Sequence, residues 1–529
     1  MSKYWHFSGI TVSVICPTVH TSSMIKTPLQ LLLAMVPVVP LLSQSVPVSS
    51  VPGLSNVLFP PSPCTGKTSL GCAIPNLYGP HGLALPNPTY TDHFMSSVIA
   101  NFSALNTALA TQLTLLPLAS PASGFTYEYD PNTGAFKRSA QSLGPVLTER
   151  GETLGRHKFY FGGTFQRFRF DKVDGVPLHN LPAIFTQTPG SGPPGAHQVE
   201  QQFISTQNSV DLKLNQYTIF GTFGLTDRID ISVAIPFLQV GFNVNSVATI
   251  NRIANTEPIV QPGAPGQAPT ITCCSNGGPG PFGPVWANYF DPNNKQGSTV
   301  REFSNNQYAS DILTNPAKTG DLYWNPSKNN AAGLGDVTFR LKGSVYRSER
   351  ATLSLLTDLR VPSGDETNFL GSGAWGVKPS AALSLRTRWL TPHVNLGYQW
   401  NGSSLLGGNI WTGTKGKLPG FGFFSAGTDI GLSSRLTLAA DYIGQELINA
   451  PRVTTSTYTS PGPLVATGQI GAFPTIATSS RETYNQSNAA FGFKLSAFHL
   501  LFSGNLLVAL NEGGLRQRVT PLVGVSYAF

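Results

Sequence analysis

The sequence has few charged residues and no long apolar run. Asp, Glu, Lys and Arg make up 11% of its 529 residues, against roughly 25% in soluble domains. No apolar run reaches the roughly 18 residues that a membrane-spanning helix needs, and the mean hydropathy is −0.01. Polar and apolar residues are therefore finely mixed, which is typical of strands with one lipid-facing and one water-facing side. A mucin-like or disordered chain would also have few charges, but not 31 Phe and 16 Tyr.

Cysteine is scarce as well, and its spacing is not that of a metal site. The chain has five cysteines and no C-x-x-C pattern. Cys64 and Cys72 bracket a short, turn-rich loop that a disulfide could close in an oxidising compartment. Cys273 and Cys274 are adjacent and form either a strained vicinal pair or partners for another group, while Cys16 precedes the expected mature chain. We therefore expect no metal and no cofactor.

The positive charge of the chain is spread out rather than clustered. The formal net charge is +8, and a nucleic-acid-binding domain would gather its Lys and Arg on one face. Here they occur singly along candidate strands, so we predict no nucleic-acid partner. The charge indicates a mildly basic pore or surface.

The amino-terminal part of the chain has the pattern of a secreted protein. An apolar run from Leu29 to Leu42 follows one lysine and precedes small residues near Ser45, which predicts a signal peptide within residues 1–45, with its true start at Met24. Residues 46–90 are rich in Pro, Gly and Ser and are predicted to be a flexible leader.

Residues 91–156 are predicted to form a helix followed by a hairpin. Thr91 and Asp92 can cap a helix that runs to about Leu115, and a turn sequence at 130–134 predicts the hairpin. The helix either plugs a barrel, packs beneath it as a periplasmic element, or pairs with a partner chain. Its apolar stripe, at spacings of three and four, consists of Phe94, Val98, Phe102, Leu105, Leu109 and Leu113.

From residue 157 onwards, about twelve strands predict a transmembrane antiparallel β-barrel, an all-β fold that fills residues 157–529. Tight connections alternate without exception with long ones, as in barrels that have short periplasmic turns and long extracellular loops. In a soluble β-sandwich, nothing requires short and long connections to alternate in this way. The predicted strands are roughly 157–170, 209–225, 228–245, 335–347, 351–362, 375–388, 391–402, 420–432, 435–446, 485–498, 501–511 and 519–529.

The two faces of these strands differ in chemistry. One face is apolar, as at Phe339, Leu341 and Leu355, and the other carries charges of both signs, which suits a wet lumen and not a closed apolar core. If the cations of the lumen are free, we expect a modest anion preference; if they pair with acids such as Asp230, they brace a plugged barrel. The pore-lining candidates are Arg340, Lys342, Asp358, Arg360, Arg386, Arg388, His393, Asn395, Asp429, Asp441 and Lys494.

The last strand ends on aromatic residues. Tyr527 and Phe529 lie on its apolar face, and the strand resembles the carboxyl-terminal signature by which outer-membrane barrels are recognised for assembly. We therefore predict the outer membrane of a Gram-negative-type bacterium as the location, with membrane lipid and the barrel assembly machinery as partners. The oligomeric state is left open.

Three short motifs resemble a known family. Residues 333–337 read Gly-Leu-Gly-Asp-Val, 362–365 read Pro-Ser-Gly-Asp, and 370–373 read Leu-Gly-Ser-Gly. Together they resemble bacterial outer-membrane proteins named after a meta-pathway of phenol degradation, over roughly residues 145–529. The resemblance implies a barrel that transports hydrophobic or aromatic compounds.

Transport of a small-molecule solute is accordingly the first hypothesis for the function. The alternatives are a phospholipase-like enzyme and a structural or adhesive barrel. His393 and Asn395 share a face, but no serine accompanies them on their strand; Ser384 and Ser425 are candidates only from neighbouring strands. We therefore predict no catalytic residues and no enzymatic activity.

Overall fold

The computed structural model describes most of the barrel and part of the chain before it. The predicted signal peptide, most of the leader, Cys273, Cys274, Arg388 and Phe529 lie outside the described residues. The described residues are 64, 69–74, 97–115, 127–130, 135–138, 142–186, 203–251, 259–261, 270–272, 300–304, 329–387, 390–410, 412–433, 435–464, 467–478 and 481–528.

Twelve antiparallel strands form a closed ring in which each strand pairs with its neighbours in sequence. The ring closes where the last strand pairs with the first, with Tyr527 opposite Phe161. The predicted barrel of about twelve strands is confirmed. The strands are β1 Phe159–Phe170, β2 Phe203–Gly224, β3 Ile229–Asn251, β4 Val337–Arg347, β5 Ala351–Val361, β6 Gly376–Leu385, β7 Leu390–Asn401, β8 Gly420–Gly431, β9 Leu436–Ala450, β10 Glu482–Ala497, β11 Leu500–Ala509 and β12 Val519–Ala528.

The connections make the two ends of the barrel unequal. Tight turns join β2 to β3, β4 to β5, β6 to β7, β8 to β9 and β10 to β11, and we call this the short-turn end. All described strands that lie between barrel strands belong to the long connections of the opposite, long-loop end. These are Lys172–Val173, Val176–Pro177, Leu181–Thr186, Ile259–Gln261, Thr270–Thr272, Val300–Ser304, Asn330–Leu334, Ser403–Asn409, Thr414–Lys417, Val453–Pro463, Ile470–Thr478 and Leu515–Arg516.

The outer surface of the barrel is apolar. Phe339, Leu341 and Leu355 are each about half exposed, although such side chains are normally buried in water-soluble proteins. Trp375 and Trp400 are also about half exposed, as expected of aromatic side chains in an interfacial girdle. An apolar band around a closed antiparallel barrel is the surface that lipid covers.

A helix, α1, extends from Ser97 to Leu115. It packs against strands of the long connections, chiefly Ser403–Asn409, and the Thr107 hydroxyl donates a hydrogen bond to the Leu406 carbonyl (3.0 Å). Thr111 and Thr114 donate to carbonyls of the preceding helical turn, so polar side chains are satisfied although the helix is enclosed. The predicted cap at 91–92 lies outside the described residues. Among the described residues, no helix is both long and apolar enough to cross a membrane.

Two smaller features precede the barrel. An antiparallel hairpin pairs Tyr127–Asp130 with Ala135–Arg138, at the position that the turn sequence predicts. Cys64 and Cys72 form the expected disulfide, with 5.3 Å between their Cα atoms. The disulfide adjoins a short 3-10 helix, Leu70–Cys72.

Candidate functional site in the barrel interior

Residues 142–156, which we call the lumen strap, cross the interior directly before β1. The Leu143 amide donates to Thr437 of β9 (2.8 Å), the Gly151 amide to Ser384 of β6 (2.8 Å) and the Leu154 amide to Asp230 of β3 (2.8 Å). Since β3 and β9 lie on opposite sides of a twelve-strand ring, the strap spans the lumen. All three contacts are close to the short turns.

Two acids of the strap bind cations of the barrel wall. Glu149 forms ion pairs with Arg340 and, at 3.5 Å, with Lys342. Glu152 forms an ion pair with Arg386 (3.0 Å). Arg340, Lys342 and Arg386 therefore pair with acids, although mostly not with the predicted ones, because the strap supplies Glu149 and Glu152. Arg340 also binds Asp358 of the wall, with nitrogen-to-oxygen distances of 2.6 and 2.8 Å.

A second buried ionic cluster lies around Arg150 at the centre of the strap. Arg150 pairs with Asp429, and both side chains are almost completely buried. The His393 Nε2 atom lies 2.6 Å from Asp441 Oδ1 and 2.9 Å from the Thr148 hydroxyl. His393 thus faces carboxylates and a threonine, while Ser384, its register partner, accepts the Gly151 amide. This geometry does not favour a serine nucleophile with a histidine base.

An internal chamber of about 160 Å³ separates the strap from the end of α1. Leu113, Thr114 and Leu115 line it from the long-loop side, and residues 147–149 line it from the short-turn side. Its wall comes from β2 to β9 and combines apolar residues with charged ones. Arg360, one of these wall residues, donates to Asn401 Oδ1 (2.8 Å).

The motifs at 333–337 and 370–373 line the chamber through Asp336, Leu370 and Gly371, and the motif at 362–365 packs against the latter two. Asp336 accepts hydrogen bonds from the amide and hydroxyl of Ser372 (2.8 and 2.6 Å). A Cβ added to Gly364 would lie 2.8 Å from the Gly371 Cα, so the two glycines allow the chain segments to touch. These motifs are accordingly structural: they fasten the long-loop ends of β4, β5 and β6.

The structure places the described candidate residues in the interior. Arg340 and Arg386 are half-buried, Tyr527 is on the outer surface, and the remaining described candidates are buried. Within the described ranges, no group of three or more His, Cys, Asp or Glu side chains is arranged to hold a metal ion. The buried candidates are Lys342, Asp358, Arg360, His393, Asn395, Asp429, Asp441 and Lys494.

The strap residues were not among the site residues that we predict from sequence. One signal marks them: Glu149, Arg150 and Glu152 place three charges within four residues in a chain with 11% charged residues. Because residues 142–156 have neither strand nor helix periodicity, the pattern gives no face on which to place these charges.

These features define the class of the protein: a closed antiparallel barrel with an apolar exterior and an ionic interior is an outer-membrane β-barrel. The family model described as "Putative MetA-pathway of phenol degradation" matches residues 298–414, which confirms the predicted resemblance over that part of residues 145–529. No curated protein matches the chain.

Several solved structures are similar to this chain at low sequence identity. The COG4313 outer-membrane channel from Pseudomonas putida F1 is 11% identical, with a TM-score of 0.37, over 73% of this chain and 100% of that one. The Pseudomonas putida toluene transporter TodX is 10% identical, with a TM-score of 0.25, over 78% and 96%. A Pseudomonas aeruginosa FadL homologue is 9% identical, with a TM-score of 0.27, over 78% and 98%.

Proposed function

We propose that the protein is an outer-membrane channel that admits small solutes, hydrophobic or aromatic compounds among them, into its barrel. The observation that carries this proposal is the chamber of about 160 Å³ inside the closed barrel. A barrel with a purely structural or adhesive role gains nothing from enclosing many charged groups, because burying charges is costly. The family match supports aromatic compounds as part of the solute range.

The arrangement of the strap and α1 corresponds to the closed state of this channel. The strap and the carboxyl-terminal end of α1 occupy the lumen. The strap contacts the wall through hydrogen bonds, ion pairs and the packing of Leu154 against Tyr160, Phe220 and Ala234. When the strap leaves the lumen, Arg340, Lys342 and Arg386 lose Glu149 and Glu152 as partners. The wall then becomes more cationic, so the open channel prefers anions modestly.

We propose no enzymatic activity for this barrel. The phospholipase alternative requires His393 as the base. This side chain lies between two carboxylates, 2.6 Å from Asp441 and 3.4 Å from Asp429. It lies inside the wall, whereas a phospholipase of this kind acts on lipid at the outer face. Lipase assays on the refolded protein test this point.

Conductance across planar bilayers tests the channel proposal. Wild type should conduct weakly or intermittently, and deletion of residues 46–152, which removes α1 and strap residues 142–152, should give large, steady currents. Deletion of residues 259–304 in the long connection between β3 and β4 is the matched control and should behave like wild type. A folded, heat-modifiable deletion variant without conductance would overturn the proposal. As a milder variant, Glu149→Gln with Glu152→Gln keeps the whole chain and should raise the open probability.

The carboxyl terminus is proposed as the assembly signal. Deleting Phe529 should reduce the folded barrel in outer-membrane fractions much more than deleting residues 259–304 does, since the barrel assembly machinery reads the terminal aromatic residue. The measurement is heat-modifiable migration of membrane extracts. Equal assembly of the two variants would contradict this role of Phe529.

A further inference from the structure

Three buried side chains that line the chamber have a polar atom with no hydrogen-bond partner in the part of the chain that the structure describes. These atoms are Gln216 Oε1, Arg360 Nε and Ser425 Oγ. The residues are 2%, 7% and 3% exposed, respectively. Buried polar groups without partners are rare and call for a physical explanation. The three atoms include an acceptor, a donor and a hydroxyl. A ligand group that both donates and accepts hydrogen bonds therefore matches them.

The charges of the chamber wall compensate one another. Arg340 is bound by Glu149 and Asp358, and Lys378 Nζ lies 3.0 Å from Asp358. Arg360 Nε lies 3.7 Å from Asp336, beyond hydrogen-bonding distance but close enough for charge compensation. An anion in the chamber would therefore lie near three carboxylates, and the positive side chains there are already bound to them. A cation would lie near three positive side chains, and the carboxylates there are already bound to them. The chamber is electrostatically suited to an uncharged molecule.

The chamber is small, and part of its lining is apolar. Leu113 and Leu115 approach from α1, while Phe421 and Phe423 line the wall on β8. The volume of about 160 Å³ is close to that of a cavity of roughly 150 Å³ that binds benzene in another protein. A molecule with a single six-membered ring fills such a space.

We infer that the chamber binds an uncharged compound with one six-membered ring and a hydroxyl group. The ring packs among the leucine and phenylalanine side chains, and the hydroxyl donates a hydrogen bond to the unpartnered Gln216 Oε1. This inference rests on the proposed function, because such a compound is then the solute that the channel admits. It narrows the solute class from small molecules in general to cyclic alcohols and phenols.

Calorimetric titration of the folded, detergent-solubilised wild type tests the ligand class. The probes are benzyl alcohol, benzoate and benzylamine, which share a ring and differ in charge. Benzyl alcohol should bind at least about tenfold more tightly than either ion, because each ion must lose its hydration inside a chamber whose described charged side chains already compensate one another. Binding of benzoate or benzylamine as tight as that of benzyl alcohol, or no binding of benzyl alcohol, would overturn the inference.

A pair of glutamine variants tests the site. Gln216→Leu removes the unpartnered acceptor and should weaken benzyl alcohol binding about tenfold. Gln239→Leu is the matched control, since Gln239 lies one register pair away on β3 but is exposed; it should bind like wild type. Heat-modifiable migration shows that both variants are folded. Equal affinities in all three proteins would overturn the assignment of the hydroxyl to Gln216.

The two proposals fail in different ways. If the deletion of residues 46–152 conducts but wild type does not bind benzyl alcohol, the ligand inference is wrong and the channel stands. If benzyl alcohol binds but no folded variant conducts, the chamber is a binding site in a barrel that is not a channel.

Discussion

The lumen strap and α1 both occupy the barrel interior, but different forces hold them. The strap is bound through ion pairs such as Arg150 with Asp429. Helix α1 contains no charged residue, and its Phe102, Leu105 and Leu109 belong to a large apolar cluster. Removing α1 exposes apolar surface, whereas removing the strap exposes charged groups that water can solvate, together with a smaller apolar cluster around Leu154. The short-turn end is therefore the part of the closure that ionic conditions and substitutions of charge should open.

The largest effect is expected from Arg150→Ala. The substitution leaves Asp429 buried without its cation, and breaking a buried ion pair in this way costs about 3–5 kcal/mol. The closed state should weaken accordingly, and the open probability in planar bilayers should rise. The matched control is Arg156→Ala, because Arg156 is an exposed residue of the same strap. Similar conductance of the two variants would contradict the view that buried ion pairs hold the strap in place.

A loss of stability without strong ionic dependence is expected from Leu109→Ala in α1. Leu109 is 1% exposed, and truncating a buried leucine costs about 2–5 kcal/mol. The temperature at which the folded form is lost on gels should fall, by the same amount in low and high salt. Gln112→Ala, at a half-buried position of the helix, should have a much smaller effect. If the loss of thermal stability caused by Leu109→Ala depended strongly on salt, α1 would be held by charge interactions, as the strap is.

A smaller change is expected in ion selectivity. In the deletion of residues 46–152, the reversal potential in a salt gradient should favour chloride modestly, since Asp358 offsets part of the cationic wall. Arg386→Glu with Arg388→Glu should shift it towards potassium. The difference should shrink in 1 M salt, where the Debye length is about 3 Å. An unchanged reversal potential in the double variant would contradict a cationic lumen.

The smallest effect is a local pH dependence at the long-loop end. Partial burial raises the pKa of Asp365, but hydrogen bonds from Asn368 and Thr367 lower it by a larger amount. The net pKa therefore lies below the usual value. Because the folded pKa is depressed, this stabilisation is present above the unfolded pKa of about 3.9 and is lost as the pH falls through the folded pKa. Amide exchange at Thr367, whose N–H Asp365 accepts, should be less protected there. Asp365→Asn should remove this pH dependence.

The barrel could be predicted from the sequence because its signals are local. Alternation such as Phe339, Arg340 and Leu341 depends only on the strand itself, and the tight turns follow from their own residues. The ends of β2 and β3 were predicted less well: the structure extends them to Phe203 and Asn251. With 22 and 23 residues, the two strands exceed the roughly 9–11 residues that cross a membrane, and their extensions pair with additional strands of the long connections.

The interior could be predicted only in part, because its contacts are not local. The described side chains of the predicted stripe, Phe102, Leu105, Leu109 and Leu113, are buried. The threonines on other faces of α1 are buried too, since each bonds within the helix or to a long connection. Glu149 meets Arg340, which lies 191 residues further along the chain, and nothing near Glu149 in sequence specifies that partner. The wall cations were thus identified, and their counter-ions on the strap were missed.

The position of the strap immediately before β1 has a consequence for folding. Strand β1 forms the closing seam with β12, so the seam joins the strand next to the strap to the last strand of the chain. If the seam formed first, the preceding chain would have to thread into a finished barrel. Closure around a strap already in place avoids this step, and the ion pairs of Glu149 and Glu152 then align the wall strands while the seam is still open. The lumen strap in that sense is a template on which the barrel closes.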